Sequence, residues 1–93
     1  MEINMDNDEI VNKLLNYIYE SNPTAEESRP LPLDESLYEL GILDSYAVIE
    51  LVGFIETHWA IRILDSEITH EKFGGVNKMA KLIAEKLAEK EST

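Results

Sequence analysis

Apolar residues recur at the spacing of one helix face in three separate stretches of this chain, and that recurrence constrains the fold more than any other feature. Val11, Leu14, Leu15 and Ile18 follow the i, i+3, i+4, i+7 order of a buried stripe, widened by Ile10 and Tyr17. Asp6 precedes them as a cap, with Glu9 three residues on in the arrangement of a capping box. Ser21-Asn22-Pro23 stops this helix near Glu20, because proline donates no amide proton and restricts the residue before it. Val48, Leu51, Val52, Ile55 and Trp59 give a second stripe, with Ile49 at its margin and Glu50 and Glu56 on the wetter side. Val76, Met79, Ile83 and Leu87 form the face of a last helix, in which Ala80 and Ala84 allow close packing. Between these two, Asp65 or Ser66 caps a turn bearing Ile68, and Thr69 caps a short third helix that Gly74-Gly75 breaks. The expected architecture is all-α, with helices over 6–20, 45–59, 69–73 and 76–90. Met1 to Met5 shows no periodicity and reads as a frayed end.

The stretch from 21 to 43 is the longest irregular segment, with Pro23, Pro30 and Pro32. A loop of that length in a small domain usually has a job. Leu33, Leu37, Leu40 and Leu43 are spaced to tack it onto the helices, Asp34 to Leu40 suits a short helical turn, and Gly41 is free to take a positive φ. Ala60 to Leu64 reads as an extended connector. On the last helix, Lys81 with Glu85 and Lys86 with Glu89 are expected surface pairs, worth a few tenths of a kcal/mol each.

With 93 residues there is room for one small domain, 1–93, and with no cysteine it must be held by apolar packing, not by disulfides or thiolate metal sites. No early apolar stretch has the flanks of a leader, and no apolar run approaches the roughly 18 residues of a membrane span, so a cytoplasmic protein without a membrane partner is expected. Eight basic residues against nineteen acidic leave a net charge of −11, which argues against nucleic acid, because phosphate contacts need Lys and Arg. The charge is also lopsided. Residues 1–71 hold three basic and sixteen acidic side chains, net −13, and residues 72–93 hold five and three, net +2. Such a field steers a molecule towards basic patches on partners, although solubility alone accounts for it equally well.

Leu40-Gly41-Ile42-Leu43-Asp44-Ser45-Tyr46 joins the loop to the second helix. Asp44 suits the N-cap, where its carboxylate accepts from amides of the first turn, a contact typically worth about 1 kcal/mol. Ser45 then occupies the first helical position, where the partial positive charge of the helix start would accommodate a phosphoester on its hydroxyl. On its own, Asp-Ser before an apolar run also reads as nothing more than a helix start. A hydrolytic role is disfavoured. His58 lies roughly 20 Å from Ser45 along the same helix at 1.5 Å per residue, His70 is unplaced, and no Gly-x-Ser-x-Gly elbow surrounds Ser45. Two separated histidines without cysteine do not suit structural zinc, and the acids lack the spacing of a calcium-binding helix-loop-helix. No catalytic or metal-ligating residue is assigned.

Leu-Gly before Ile-Leu-Asp-Ser, a helix of about four turns after it, Ile63-Leu64-Asp65 beyond that helix, and the length, acidity and helix order of the chain from about Asp6 to Lys90 together resemble the acyl carrier protein family. The resemblance implies a four-helix acyl-carrier-like bundle with a long loop between helices 1 and 2 and a short helix 3. It implies a non-enzymatic, monomeric carrier. Its cofactor is 4′-phosphopantetheine, attached to Ser45 by a phosphopantetheinyl transferase that uses coenzyme A and Mg²⁺, with Asp44 helping to orient that metal. Acyl or aminoacyl groups then ride as thioesters on the arm, in fatty acid, polyketide or other lipid biosynthesis, and are presented to acyl-activating, acyltransferase or synthase enzymes with basic patches. Tyr46, Ile49, Glu50 and Glu56 are the implied partner-binding residues, and Ile55, Ile68 and Ile83 the candidates to line an acyl pocket. Tyr46 stands where leucine is usual in this family, Ala47 where an acid is frequent, Thr57 breaks an acidic cluster, and Trp59 replaces phenylalanine, so a specialised carrier is expected. The string Gly41-Ile42-Leu43-Asp44-Ser45 also looks like the D-alanyl carrier branch, and Phe73 is compatible with it. The rival is an unmodified adaptor that keeps the carrier fold.

Overall fold

The computed structural model describes residues 7–91, so the expected cap at Asp6 and the end Met1 to Met5 lie outside the described residues. Five helices follow one another: α1 (Asn7–Ser21), α2 (Pro23–Glu27), α3 (Ser45–Trp59), α4 (His70–Phe73) and α5 (Val76–Glu91), with a single 3-10 turn at Asp65–Glu67. No strand occurs among the described residues. The all-helical expectation therefore holds, and the four expected helices are joined, among the described residues, by a short fifth.

The extra helix is α2. Pro23 ends α1 and at once opens another helix, because its missing amide proton is not needed at a first helical position and its fixed φ already suits one. Asn22 closes α1 by donating from both its backbone amide and its side-chain amide to the Ile18 carbonyl, each at 3.0 Å. α2 places Ala25 in the core. What the sequence presents as one irregular segment from 21 to 43 is thus shortened by a turn and a half of helix.

The phase of α1 also differs from the expected stripe. Ile10, Leu14 and Ile18 are fully buried, whereas Val11, Leu15 and Tyr17 pack only partly against the core. Ile10 is a centre of the buried face, not its widening, because α1 turns that side towards α5. On α3 the buried line is Leu51, Ile55 and Trp59, with Val48 and Val52 half-buried. α5 buries Val76, Met79, Ala80, Leu82 and Ile83, with Leu87 at the margin. Tyr17 of α1 stacks on Phe54 of α3 with ring centres 4.3 Å apart, fastening the two helices side by side. α3 stops at Ala60, which takes a left-handed φ of 55°. Lys90 of α5 donates to the Trp59 and Ala60 carbonyls at 3.3 and 2.9 Å, a cation on the electronegative end of a helix.

The loop between α2 and α3 is seated by Leu31, Leu37 and Leu43, all buried. Leu40, expected to help, is 48% exposed. The Leu40 amide donates to the Ser36 carbonyl at 3.0 Å, which makes a helical turn, and Gly41 leaves it with a φ of 79°. Asn77 of α5 ties down the other side of the loop, donating its backbone amide to the Leu33 carbonyl at 2.9 Å and its side-chain amide to Asp34 Oδ1 at 2.8 Å. Gly75 permits this approach. A Cβ there would meet backbone atoms of Leu33, Asp34 and Glu35 at 3.2 Å, and its φ of 127° is strained for other residues.

Gly53 is different, because a Cβ built on it meets nothing within 4 Å. Gly53→Ala is therefore expected to stabilise the fold by about 1 kcal/mol through lost backbone freedom in the unfolded chain. Urea unfolding midpoints of parent and variant check it, and a midpoint that does not rise would mean that the helix bends or frays at this position.

Lys86, expected to pair with Glu89, reaches Glu67, with Nζ 2.8 Å from Oε1. Only 16% and 14% of the two side chains is exposed. The same Glu67 carboxylate accepts from the Leu64 amide at 2.8 Å. The Lys86 contact first, and then the Leu64 amide, hold the Glu67 carboxyl below its ordinary 4.5. Because the folded value is the lower one, this stabilisation is complete above the ordinary value and is lost as pH falls through the depressed one. The stability difference between parent and Glu67→Gln is thus expected at about pH 7 and to shrink towards about pH 3; an unfolding series across that window measures it, and a difference that grows on acidification contradicts it.

Candidate functional site

Asp44 sits in extended backbone, with φ −90° and ψ −179°, and its Oδ1 accepts from the Ala47 amide at 2.8 Å. Its carbonyl accepts from the Val48 amide at 3.0 Å. Asp44 is therefore the N-cap of α3, and Ser45 is the first helical residue, exposed to solvent. Among the described residues no acceptor meets the amides of Ser45 and Tyr46. They are two of the donors that every helix start leaves over. An exposed hydroxyl beside two unspent N–H groups suits a phosphate ester, so the residues present fit the group that the sequence suggests.

Behind Ser45 lies a cavity of about 340 Å³ between the loop, α3 and α4. Leu37, Leu43, Val48, Phe73 and Met79 contribute its apolar wall, and Glu39 and His70 stand at its polar edge. Of the three isoleucines suggested for a pocket, Ile68 lines this space. Ile55 and Ile83 do not: both are fully buried in the core outside its lining.

The four residues suggested for partner binding separate in the same way. Tyr46 and Ile49 are each 68% exposed, and Glu50 is exposed beside them on the face of α3 that also carries Gly53. A hydrogen bond to Glu50, followed by the charge of that carboxylate, holds the Tyr46 hydroxyl above its ordinary 10.0. Glu56 is not part of this face. It is half-buried and accepts from the Ile63 amide at 2.9 Å, so it braces the connector after α3.

Nothing in the sequence pairs Glu39 with His70. His70 Nδ1 lies 2.9 Å from Glu39 Oε2, joining the loop to α4 at the edge of the cavity that Ser45 also lines. No local pattern could have found them, since 31 positions separate the pair and neither belongs to a motif. His58 stays far down α3, where its ring stacks at 5.3 Å on Phe54.

An all-helical chain that presents a capped, exposed serine at a helix start beside a small cavity is compatible with a small carrier-protein bundle. No family model matches the chain. The D-alanyl carrier protein of Streptococcus mutans serotype c is 34% identical to it over 53 residues, which is 57% of this chain and 67% of that protein. The D-alanyl carrier proteins of Streptococcus thermophilus and Streptococcus sanguinis are each 32% identical over the same shares. The chain belongs to the phosphopantetheine-dependent carrier protein family. Like its relatives it is a carrier and not an enzyme. Among the described residues no helix is long and apolar enough to cross a membrane.

Proposed function

We propose that this protein carries an aminoacyl group, D-alanyl in particular, as a thioester on a 4′-phosphopantetheine arm attached to Ser45. The observation that carries this reading is the setting of Ser45: exposed, at the first position of α3, capped by Asp44 and flanked by unspent amides. Coenzyme A would donate the arm, with the Ser45 oxygen forming the new bond to phosphorus, the adenosine bisphosphate leaving, and a separate transferase supplying Mg²⁺ and taking the serine proton. Bound there, the arm supplies the thiol that a chain without cysteine lacks. Asp44 keeps the helix start in register, and the Ser45 and Tyr46 amides offer donors to the phosphoester.

The aminoacyl cargo is favoured by the names of the relatives, all D-alanyl carriers, none of which speaks for fatty acid or polyketide synthesis. In this reading the protein works in the cytoplasm as a monomer. Its partners are the phosphopantetheinyl transferase, a ligase that activates the amino acid and a transferase that receives it. Tyr46, Ile49 and Glu50 form the surface they meet, the apolar pair giving contact area and the acid an attraction to basic patches.

The test is the intact mass of the purified chain before and after incubation with coenzyme A, Mg²⁺ and a broad-specificity phosphopantetheinyl transferase. A gain of one phosphopantetheine is expected. A folded chain that gains none with this transferase, or with one from its own source, counts for the unmodified adaptor.

A further inference from the structure

Glu39 and His70 are placed without any role in the attachment of an arm, yet they share a cavity with the serine that would bear it. Glu39 is set by the helical turn of the loop, where its amide donates to Ser36 Oγ at 3.2 Å. His70 opens α4, and Lys78 of α5 donates to its carbonyl at 3.3 Å, which holds the backbone and leaves the ring free for Glu39. The carboxylate only accepts, so a neutral His70 ring must donate its Nδ1 proton to Glu39 Oε2. Its Nε2 is then an acceptor. In that neutral form the pair presents a second carboxylate oxygen and a ring nitrogen, two acceptors, on a wall it shares with the hydroxyls of Ser36, Ser45 and Thr69.

That arrangement is complementary to an ammonium group, which has three protons to give and no lone pair. It offers nothing to a neutral alkyl end. The cavity, about 340 Å³, lies at the small end of the range for small-molecule pockets, roughly 300 to 1,000 Å³. Phe73 and Met79 belong to its wall, and the fully buried Ile55 and Ile83 lie outside its lining, so its size suits a short group.

We propose that Glu39 and His70 form a recognition site for the free amine of a short aminoacyl group, carried into the cavity by an arm on Ser45. The inference rests on the carrier reading and deepens it: the selection of cargo is written partly into the carrier and not only into the enzymes that load it. It assigns Glu39 the charge contact and His70 the positioning of that carboxylate together with a second acceptor.

The test uses the full chain, isotope-labelled, loaded through the transferase with one of two amide-linked pantetheine arms, an alanyl arm and a propionyl arm that lacks only the amine. Intact mass first establishes that each arm is attached. The expected result is that the alanyl arm, and not the propionyl arm, moves the nuclear magnetic resonance signals of the His70 ring and the Glu39 amide. In Glu39→Gln, at a position where the parent side chain is 61% exposed, the two arms should give the same His70 ring signals. Attached arms with identical spectra in the parent overturn this inference and leave the carrier reading intact, as does a difference that survives undiminished in Glu39→Gln. A folded chain that accepts neither these arms nor the plain arm of coenzyme A, with this transferase or one from its own source, overturns the carrier reading, and this inference with it.

Discussion

Ser45→Ala is expected to abolish the gain of a phosphopantetheine completely while leaving the fold in place. Both halves of that result follow from the structure. The hydroxyl is the exposed nucleophile at the start of α3, and alanine has no atom to form the phosphoester. The helix does not depend on it, because the cap is Asp44, whose Oδ1 accepts from the Ala47 amide at 2.8 Å. Alanine at an exposed first helical position should change stability by no more than about 0.5 kcal/mol. Asp44→Ala provides the contrast, costing about 1 kcal/mol of stability by removing the cap while keeping the attachment atom. Mass spectrometry and urea unfolding of both variants separate the two roles. An arm still found on Ser45→Ala would move the attachment point to another hydroxyl.

The largest effect on stability is expected at Ile55. Its side chain is fully buried between the helices, so Ile55→Ala removes buried methylene groups and leaves a cavity, at a cost of roughly 2 to 5 kcal/mol. Domains of this size have only about 5 to 15 kcal/mol to lose. The urea midpoint should fall steeply with little change in slope. Ile49→Ala, on the same helix but 68% exposed, should stay within about 0.5 kcal/mol of the parent. If the two substitutions cost the same, the division of α3 into a packed face and a presented face is wrong.

Much of this division could be read before any coordinates. The spacing of Leu51, Ile55 and Trp59 marks the buried line of α3, and Asp44 marks its start, because both signals act within one or two turns of the same helix. The same local logic failed where a neighbour decides. Periodicity puts Ile10 at the edge of the α1 stripe, since it gives the width of an apolar face but not which part of it meets α5. Pro23 reads as a stop, and it is also a start, because the first position of a helix does not need the amide proton that proline lacks. Glu56 looked like a surface acid on the wetter side of α3, but the connector folds back and its Ile63 amide claims the carboxylate.

The site shows the same boundary at a longer range. The chain's own residues determined that it is helical and acidic, lacks any thiol, and has one serine held by a cap at a helix start, for these depend on composition and on contacts a few residues apart. Only the tertiary structure decided that Glu39, Ser45 and His70 border one cavity and that Ile68 lines it while Ile55 and Ile83 do not. Those placements depend on how a loop, a long helix and a helix of four residues pack against one another. That packing is set by buried area summed over the whole core, and no short stretch of sequence contains it.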